Sequence, residues 1–126
     1  MNATAIPAQD LACQLLDAAS GITADTAAAG LIISHGHFLH RPAFRRVITA
    51  GPSTTTGQPL AVISWPGALR ALEAGLLPCA SSEQAVLRIA ASIGDPDLPV
   101  RLRAVPGNLD ARNITLVTDA ITTANG

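Results

Sequence analysis

The sequence predicts a single α+β domain that is mostly helical, with four to five helices, a short β-hairpin and room for a third strand. Its 126 residues suffice for one globular domain, residues 1–126, with its own core. Apolar side chains recur at helical spacing in several segments, whereas only short runs alternate as in a strand. Gly and Pro separate these segments at short intervals, so the pattern favours helices with a small sheet.

The first two predicted helices cover about residues 7–20 and 23–33, where apolar side chains recur at helical spacing. Thr23 is a candidate N-cap for the second helix, and Gly36 is available as the left-handed residue beyond its end. A strand over residues 31–34 is the alternative for the end of this helix.

The middle of the chain predicts a short helical turn at Phe44 that passes into a strand over residues 47–50. Residues 51–59 form a loop by composition, and the apolar run at 60–64 predicts a second strand that pairs with the first as a hairpin. Ser64 then caps the following helix.

Two further helices and a strand are predicted in the second half. Leucines at helical spacing predict that the helix after Ser64 ends near Gly75. Ser81 with Gln84 has the spacing of a capping box, which predicts a further helix over residues 82–93. Apolar and basic residues alternate over 100–104, as in a half-exposed strand.

The last predicted helix begins after Asp110 as its N-cap and buries Ile114, Val117 and Ile121. The preceding helix, the basic segment and this helix resemble a helix-turn-helix or winged-helix arrangement. Its exposed face would carry Arg112, Asn113, Thr115, Asp119 and Thr122. Only Arg112 on this helix is basic, which is little charge for neutralising phosphates.

The composition limits the classes of function. The formal charge of −1 excludes a uniformly basic nucleic-acid coat and a strongly acidic mimic. The charges are nevertheless segregated, because residues 1–25 carry three Asp and no base, whereas residues 26–72 carry four Arg and no acid. Aromatic residues are 2% of the chain, which predicts an aliphatic core in which Phe38, Phe44 and Trp65 are the informative side chains.

The cysteines and the N-terminus predict a cytoplasmic protein without a membrane partner. Cys13 and Cys79 are too few for a disulfide scaffold and lie in apolar contexts, so both are expected to be buried thiols. No basic flank precedes an apolar stretch, and every apolar run is interrupted before it reaches the length of a membrane span.

The histidines form the pattern His35-x-His37-x-x-His40 after an apolar run. This pattern resembles the His-x-His-x-Asp-His signature of the metallo-β-lactamase fold, whose imidazoles bind zinc. Leu39 stands where that signature has Asp, and the chain has no other His. The resemblance implies a zinc-binding hydrolase with His35, His37 and His40 as ligands. The alternative is that these imidazoles lie at a helix end, where the dipole favours them.

The segment from His35 to Arg46 combines basic and aromatic residues, the composition of a small nucleic-acid or phosphate contact. Together with the final helix it supplies the candidate contact residues Phe38, Arg41, Arg45, Arg46 and Arg112. The alternative is that the Phe rings belong to the core and the Arg side chains face solvent or pair with the acidic N-terminal segment.

No complete catalytic set is present. The sequence lacks a Gly-x-Ser-x-Gly motif, and the loop at 51–57 does not fit a P-loop. Residues 30–126 resemble a group of small uncharacterised proteins of GC-rich actinobacteria, which implies no activity. We therefore expect a non-enzymatic domain without a cofactor that binds another protein or its own copy. A nucleic-acid-binding module and a zinc-binding hydrolase are the alternatives.

Overall fold

The structure is a computed structural model that describes residues 3–103, 107 and 109–126. Short 3₁₀ turns at Ala3–Ala5 and Phe38–His40 accompany the regular elements of the described residues. In chain order these elements are α1 Ala8–Ala19, α2 Thr23–His35, α3 Pro42–Arg45, β1 Ile48–Pro52, β2 Pro59–Ile63, α4 Trp65–Glu73, α5 Ser81–Gly94 and α6 Ala111–Asn125. The predicted α+β, mostly helical fold with one hairpin is confirmed.

Helix α2 is the central element of the fold. It packs against α1, α5 and α6, while α1 also covers strand β2 and α4 packs on α5. Its sequence is rich in small residues, and Ala27, Ala28 and Ala29 are all buried. Small side chains let neighbouring helices approach closely, which is how a chain with few large residues fills its core.

The two Phe residues form the largest buried pair. Phe38 and Phe44 are both fully buried, and their ring centroids lie 5.1 Å apart. Full burial of such a side chain contributes about 2–3 kcal/mol. The prediction that they belong to an otherwise aliphatic core is confirmed.

The hairpin has the predicted position and a clear register. Ile48 pairs with Ile63 and Ala50 with Ala61, and all four side chains point to the buried face. Ser53 stabilises the connecting loop, because its hydroxyl accepts hydrogen bonds from the backbone N–H groups of Thr55 and Thr56.

The predicted helix ends at Gly36, Ser64 and Asp110 are confirmed. Gly36 has φ 81°, a left-handed conformation that ends α2. Because α2 continues to His35, the alternative strand at 31–34 is excluded. The Ser64 hydroxyl accepts the N–H of Gly67 at 3.2 Å, and the Asp110 carboxylate accepts the N–H of Asn113 at 2.8 Å.

The two other predicted caps are wrong. The N-cap of α5 is Ala80, so Glu83 rather than Gln84 reaches back, accepting the Ala80 N–H at 2.7 Å. Ala80 has no side-chain acceptor, which leaves half of a capping box. The N-cap of α2 is Ile22, and the Thr23 hydroxyl instead donates to the Ala124 carbonyl at 3.3 Å.

The strand predicted over 100–104 is not formed at residues 100–103, which are irregular and turn backbone; residue 104 lies outside the described residues. The prediction that both thiols are buried is also wrong, because Cys13 is exposed and Cys79 is half-buried. Among the described residues, no helix has the length and apolar character needed to cross a bilayer.

The buried stripe of helix α6 differs from the predicted one by one residue at two of its three positions. Asn113, Val117 and Ala120 are buried, whereas Ile114 and Ile121 are 42% and 54% exposed. The α2 surface beside α6 consists largely of small residues, so Ala120 fits there better than a branched side chain. Asn113, predicted to be exposed, is 4% exposed.

Candidate functional site

The predicted contact segment lies where α2 ends and the chain turns through the 3₁₀ helix into α3. Phe38 anchors it, with its ring centroid 5.4 Å from those of both His35 and His37. Because Phe38 has no accessible surface, its ring has no free face on which a base could stack.

Arg45 holds the N-terminal segment against this region. Its guanidinium donates to the Leu39 and Ile6 carbonyls at 2.5 Å and to that of Ala3 at 3.4 Å. One alternative for the basic residues was that they face solvent or pair with the acidic N-terminal segment. The structure shows backbone carbonyls of that segment, rather than its carboxylates, as the acceptors.

Arg41 and Arg112 also bind backbone carbonyls. Arg41 donates to the Pro78 carbonyl and lies 3.7 Å from the Cys79 sulfur, which ties the loop before α5 to the 3₁₀ turn. Arg112 donates from Nη2 to the carbonyls of Ser34 and His35 at 3.1 and 3.2 Å. It thereby binds the negative C-terminal end of α2.

Arg46 differs from these three arginines. It is exposed, and its guanidinium forms no hydrogen bond or ion pair within the described part of the chain. The structure therefore separates the four predicted arginines, since Arg41, Arg45 and Arg112 donate to backbone carbonyls, whereas the guanidinium of Arg46 has no partner among the described residues. The nucleic-acid hypothesis stays a prediction.

His37 and Glu83 form the shortest ion-pair contact of the region. His37 Nε2 lies 2.7 Å from Glu83 Oε2, and the other oxygen of Glu83 accepts the Ala80 N–H. Arg41 Nη1 lies 3.2 Å from the same imidazole nitrogen. If His37 Nε2 donates a proton to Glu83, it has no lone pair with which to accept a hydrogen bond from Arg41. The contact with the Glu83 carboxylate is the shorter of the two, which favours His37 Nε2 as a donor.

His35 is buried at the Nδ1 atom, which has no hydrogen-bond partner within the described residues. Burial lowers the pKa of His35, and the neighbouring Arg112 and His37 lower it further, against smaller effects of Glu83 and Asp110. The predicted preference for a charged imidazole at the helix end is therefore outweighed by burial.

The three histidines do not surround a common point. The rings of His35 and His37 are perpendicular with centroids 6.0 Å apart, and His40 is exposed. Within the described residues, no three His, Cys, Asp or Glu side chains form a group that could hold a metal ion. The zinc hypothesis stays a prediction.

Cys79 is the thiol nearest to these groups. Burial raises its pKa, and Glu83 raises it further, while Arg41 opposes both effects. A raised pKa reduces the thiolate fraction, which is the nucleophilic form. The contacts of Arg41 and Glu83 in this cluster hold the start of α5 in place.

Two open features lie outside the predicted segment. The first, which we call the α2–α6 groove, has a volume of about 230 Å³ and is lined by Leu16, Thr26, Ala27, Gly30, Leu31, Ser34, Leu116, Asp119, Ala120 and Thr123. A Cβ atom at Gly30 would meet open space. The side chains of α2 and α6 therefore leave a gap at this position.

The second feature, which we call the Trp65 cavity, has a volume of about 170 Å³. Its wall is mostly aliphatic and comes from α1, α2, β2 and the ends of α4 and α5: Leu15, Ala18, Ala19, Asp25, Ala29, Ala61, Val62, Ile63, Trp65 and Gly94. Sequence reasoning missed Asp25, although Trp65 as the single Trp was a signal.

Comparison of the chain with protein-family models, with curated protein sequences and with solved structures finds no match. The function must therefore be argued from the geometry of these surfaces.

Proposed function

We propose that this chain is a non-enzymatic interaction domain that pairs with a second copy of itself along the α2–α6 groove. The observation that carries the proposal is the placement of one base and one acid, Arg112 and Asp119, on the exposed flank of α6 beside an unfilled apolar groove.

The groove is suited to covering by protein. The surface of its lining is mostly apolar, although Thr26, Ser34, Asp119 and Thr123 contribute polar groups, and Leu16 is 40% exposed. Covering apolar surface is favourable by about 25 cal/mol per Å². A helix could also approach closely, because Gly30 presents no side chain.

The charges beside the groove are self-complementary. Arg112 and Asp119 are seven residues apart, which is nearly two turns, or about 10.5 Å along one side of the helix. In an antiparallel pair of α6 helices, each Arg112 would face the Asp119 of the other copy. Leu116 lies between them and would meet its own copy near the twofold axis.

Both groups are available for such a pair. Arg112 uses Nη2 for the carbonyls of α2, which leaves Nη1 and Nε free to donate. Asp119 is exposed and has no ion pair within the described residues. The same proposal places the domain in the cytoplasm, since two unpaired cysteines suit a reducing compartment.

The decisive experiment mixes two charge-reversed variants. Asp119→Arg leaves two bases on the flank and Arg112→Asp leaves two acids, so each variant alone should dimerise about tenfold more weakly than the original chain. An equimolar mixture restores both attractive pairs and should form a heterodimer. Light scattering after size exclusion, with one variant extended by a tag, measures each species.

The matched controls concern the fold and the groove. Circular dichroism should show that both variants fold, and Gly30→Arg should abolish pairing by filling the groove while keeping a residue that favours helix. A monomeric mass for the original chain up to about 0.5 mM, which is high enough to detect weak dimers, would contradict the proposal. Equal dimerisation of the mixture and of the separate variants would also contradict it.

A further inference from the structure

The Trp65 cavity is separate from the α2–α6 groove and has the size of a small-ligand site. Its volume of about 170 Å³ is comparable to the roughly 150 Å³ cavity that accommodates benzene in another protein. Leu15, Ala29 and Ile63, from three different elements, contribute buried side chains to its wall. An aliphatic group of a few carbon atoms would replace unfavourable contacts between water and this wall.

One carboxylate breaks the apolar character of the wall. Asp25 is the only ionisable residue among the lining residues, and it is half-buried. Its carboxylate forms no ion pair or hydrogen bond with any described residue. An ionised carboxylate accepts hydrogen bonds and cannot donate them, and its partial burial without a partner is costly. The group that would satisfy it is a cationic donor.

Trp65 supplies the aromatic part of the wall. A Cβ atom on Gly94 would clash with the indole nitrogen of Trp65, so this edge of the ring sits directly on the Gly94 backbone. The glycine therefore allows the ring its position beside the cavity. An indole ring within about 6 Å of a cation attracts it through the negative face of the π system.

We propose that this cavity binds a small primary alkylammonium ion. The ammonium group donates to the Asp25 carboxylate and lies near the Trp65 ring, while the alkyl group occupies the aliphatic part of the wall. The ligand class follows from three properties of the lining side chains: one carboxylate without a described partner, no base, and aliphatic or aromatic side chains otherwise. This inference is independent of the pairing of α6.

The chain provides its own spectroscopic probe for the test. Trp65 is its only Trp, and it has no Tyr, so the intrinsic fluorescence comes from the wall of the cavity. Three probes of similar shape separate charge from size: isobutylammonium, isobutanol and isobutyrate, each titrated at constant ionic strength. We expect a saturable change in emission with isobutylammonium, affinity about ten- to a hundredfold lower for isobutanol, and no saturation with isobutyrate.

A pair of variants tests the assignment to Asp25. Asp25→Asn should weaken isobutylammonium binding by about tenfold or more and bring it close to that of isobutanol. Asp10→Asn is the matched control, because Asp10 also lies in the first turn of its helix but does not line the cavity. It should leave the affinity unchanged.

Equal binding of isobutanol and isobutylammonium would overturn the inference, and so would unchanged affinity in Asp25→Asn. If Asp25→Asn does not fold, the three-probe comparison on the original chain still decides, because it separates the contribution of charge without any substitution. Failure of all three probes to saturate would likewise overturn it.

Discussion

The segment His35–Arg46 and the Trp65 cavity use polar side chains in opposite ways. The segment has every His of the chain and three of its eight Arg, yet Arg41 and Arg45 donate to carbonyls of the same chain. The cavity has a single ionisable residue, Asp25, which has no described partner. A local concentration of basic residues in this sequence therefore does not by itself indicate free positive charge.

The difference has a physical cause in the backbone. The segment consists of short turns, and the N-terminal residues beside it have no strand or long helix to satisfy their carbonyls. A guanidinium has five N–H groups in a fixed arrangement and can satisfy several carbonyls at once, as Arg45 does. Around the cavity, helices and the hairpin satisfy most backbone groups internally.

The largest expected effect tests this role of Arg45. Arg45→Ala should lower the free energy of unfolding by about 3 kcal/mol, because it removes charge-assisted hydrogen bonds and leaves carbonyls without a donor. Arg46→Ala is the matched control, and we expect a change within about 0.5 kcal/mol there, since Arg46 is exposed. Urea unfolding measures both. If both variants lost a similar free energy of unfolding, the hydrogen bonds of Arg45 to backbone carbonyls would not distinguish it from the exposed Arg46.

A smaller effect is expected when the wall of the cavity is disturbed. Gly94→Ala places a Cβ atom against the Trp65 ring, so the ring must move, at a cost of about 1–2 kcal/mol. Its fluorescence maximum should shift as the environment of the indole changes. The urea midpoint and the emission spectrum together measure the effect.

Gly30→Ala is the contrasting helical glycine. Its Cβ would meet open space in the α2–α6 groove, so the gain in helix propensity should stabilise the protein by up to about 1 kcal/mol. The free energy of unfolding should change in opposite directions in Gly94→Ala and Gly30→Ala only if the cavity wall is tightly packed at Gly94 and the groove is open at Gly30. Destabilisation by both changes would contradict this comparison.

Local signals in the sequence predicted most of the elements. Gly36, Ser64 and Asp110 act through hydrogen bonds or φ angles within a few residues, so each helix end follows from its own neighbourhood. The buried face of α6 does not follow in this way. Ile114 and Ile121 have the apolar spacing of a buried stripe, but the small residues of α2 determine which face fits.

The candidate sites were harder to predict for the same reason. Arg45 and its acceptor Ile6 are 39 residues apart, and nothing near Arg45 in the sequence indicates that its charge is used internally. Asp25 lies in the first turn of α2, where an acid is expected simply to stabilise the helix. Its place in the cavity wall depends on β2 and α4, which meet it only in the folded chain.

The smallest effect concerns pH and His35, the one residue of the segment with a buried, unpaired ring nitrogen within the described chain. Because burial, Arg112 and His37 lower its pKa below 6.5, the unfolded chain takes up a proton at His35 before the folded chain does. The stability that His35 contributes is therefore complete above pH 6.5 and is lost as the pH falls toward its folded-state pKa. Thermal unfolding at pH 8 and pH 5.5 measures this loss.

His35→Gln should reduce this loss between pH 8 and pH 5.5, because a side chain that does not titrate contributes no proton uptake. The other groups that face His35, namely Glu83, Asp110, Arg112 and His37, remain in the variant. The difference between the two pH profiles therefore isolates His35. An unchanged profile would show that its imidazole meets similar surroundings in the folded and unfolded chains. The ring of His35 would then be open to water in the folded protein, rather than enclosed by the contacts of the segment.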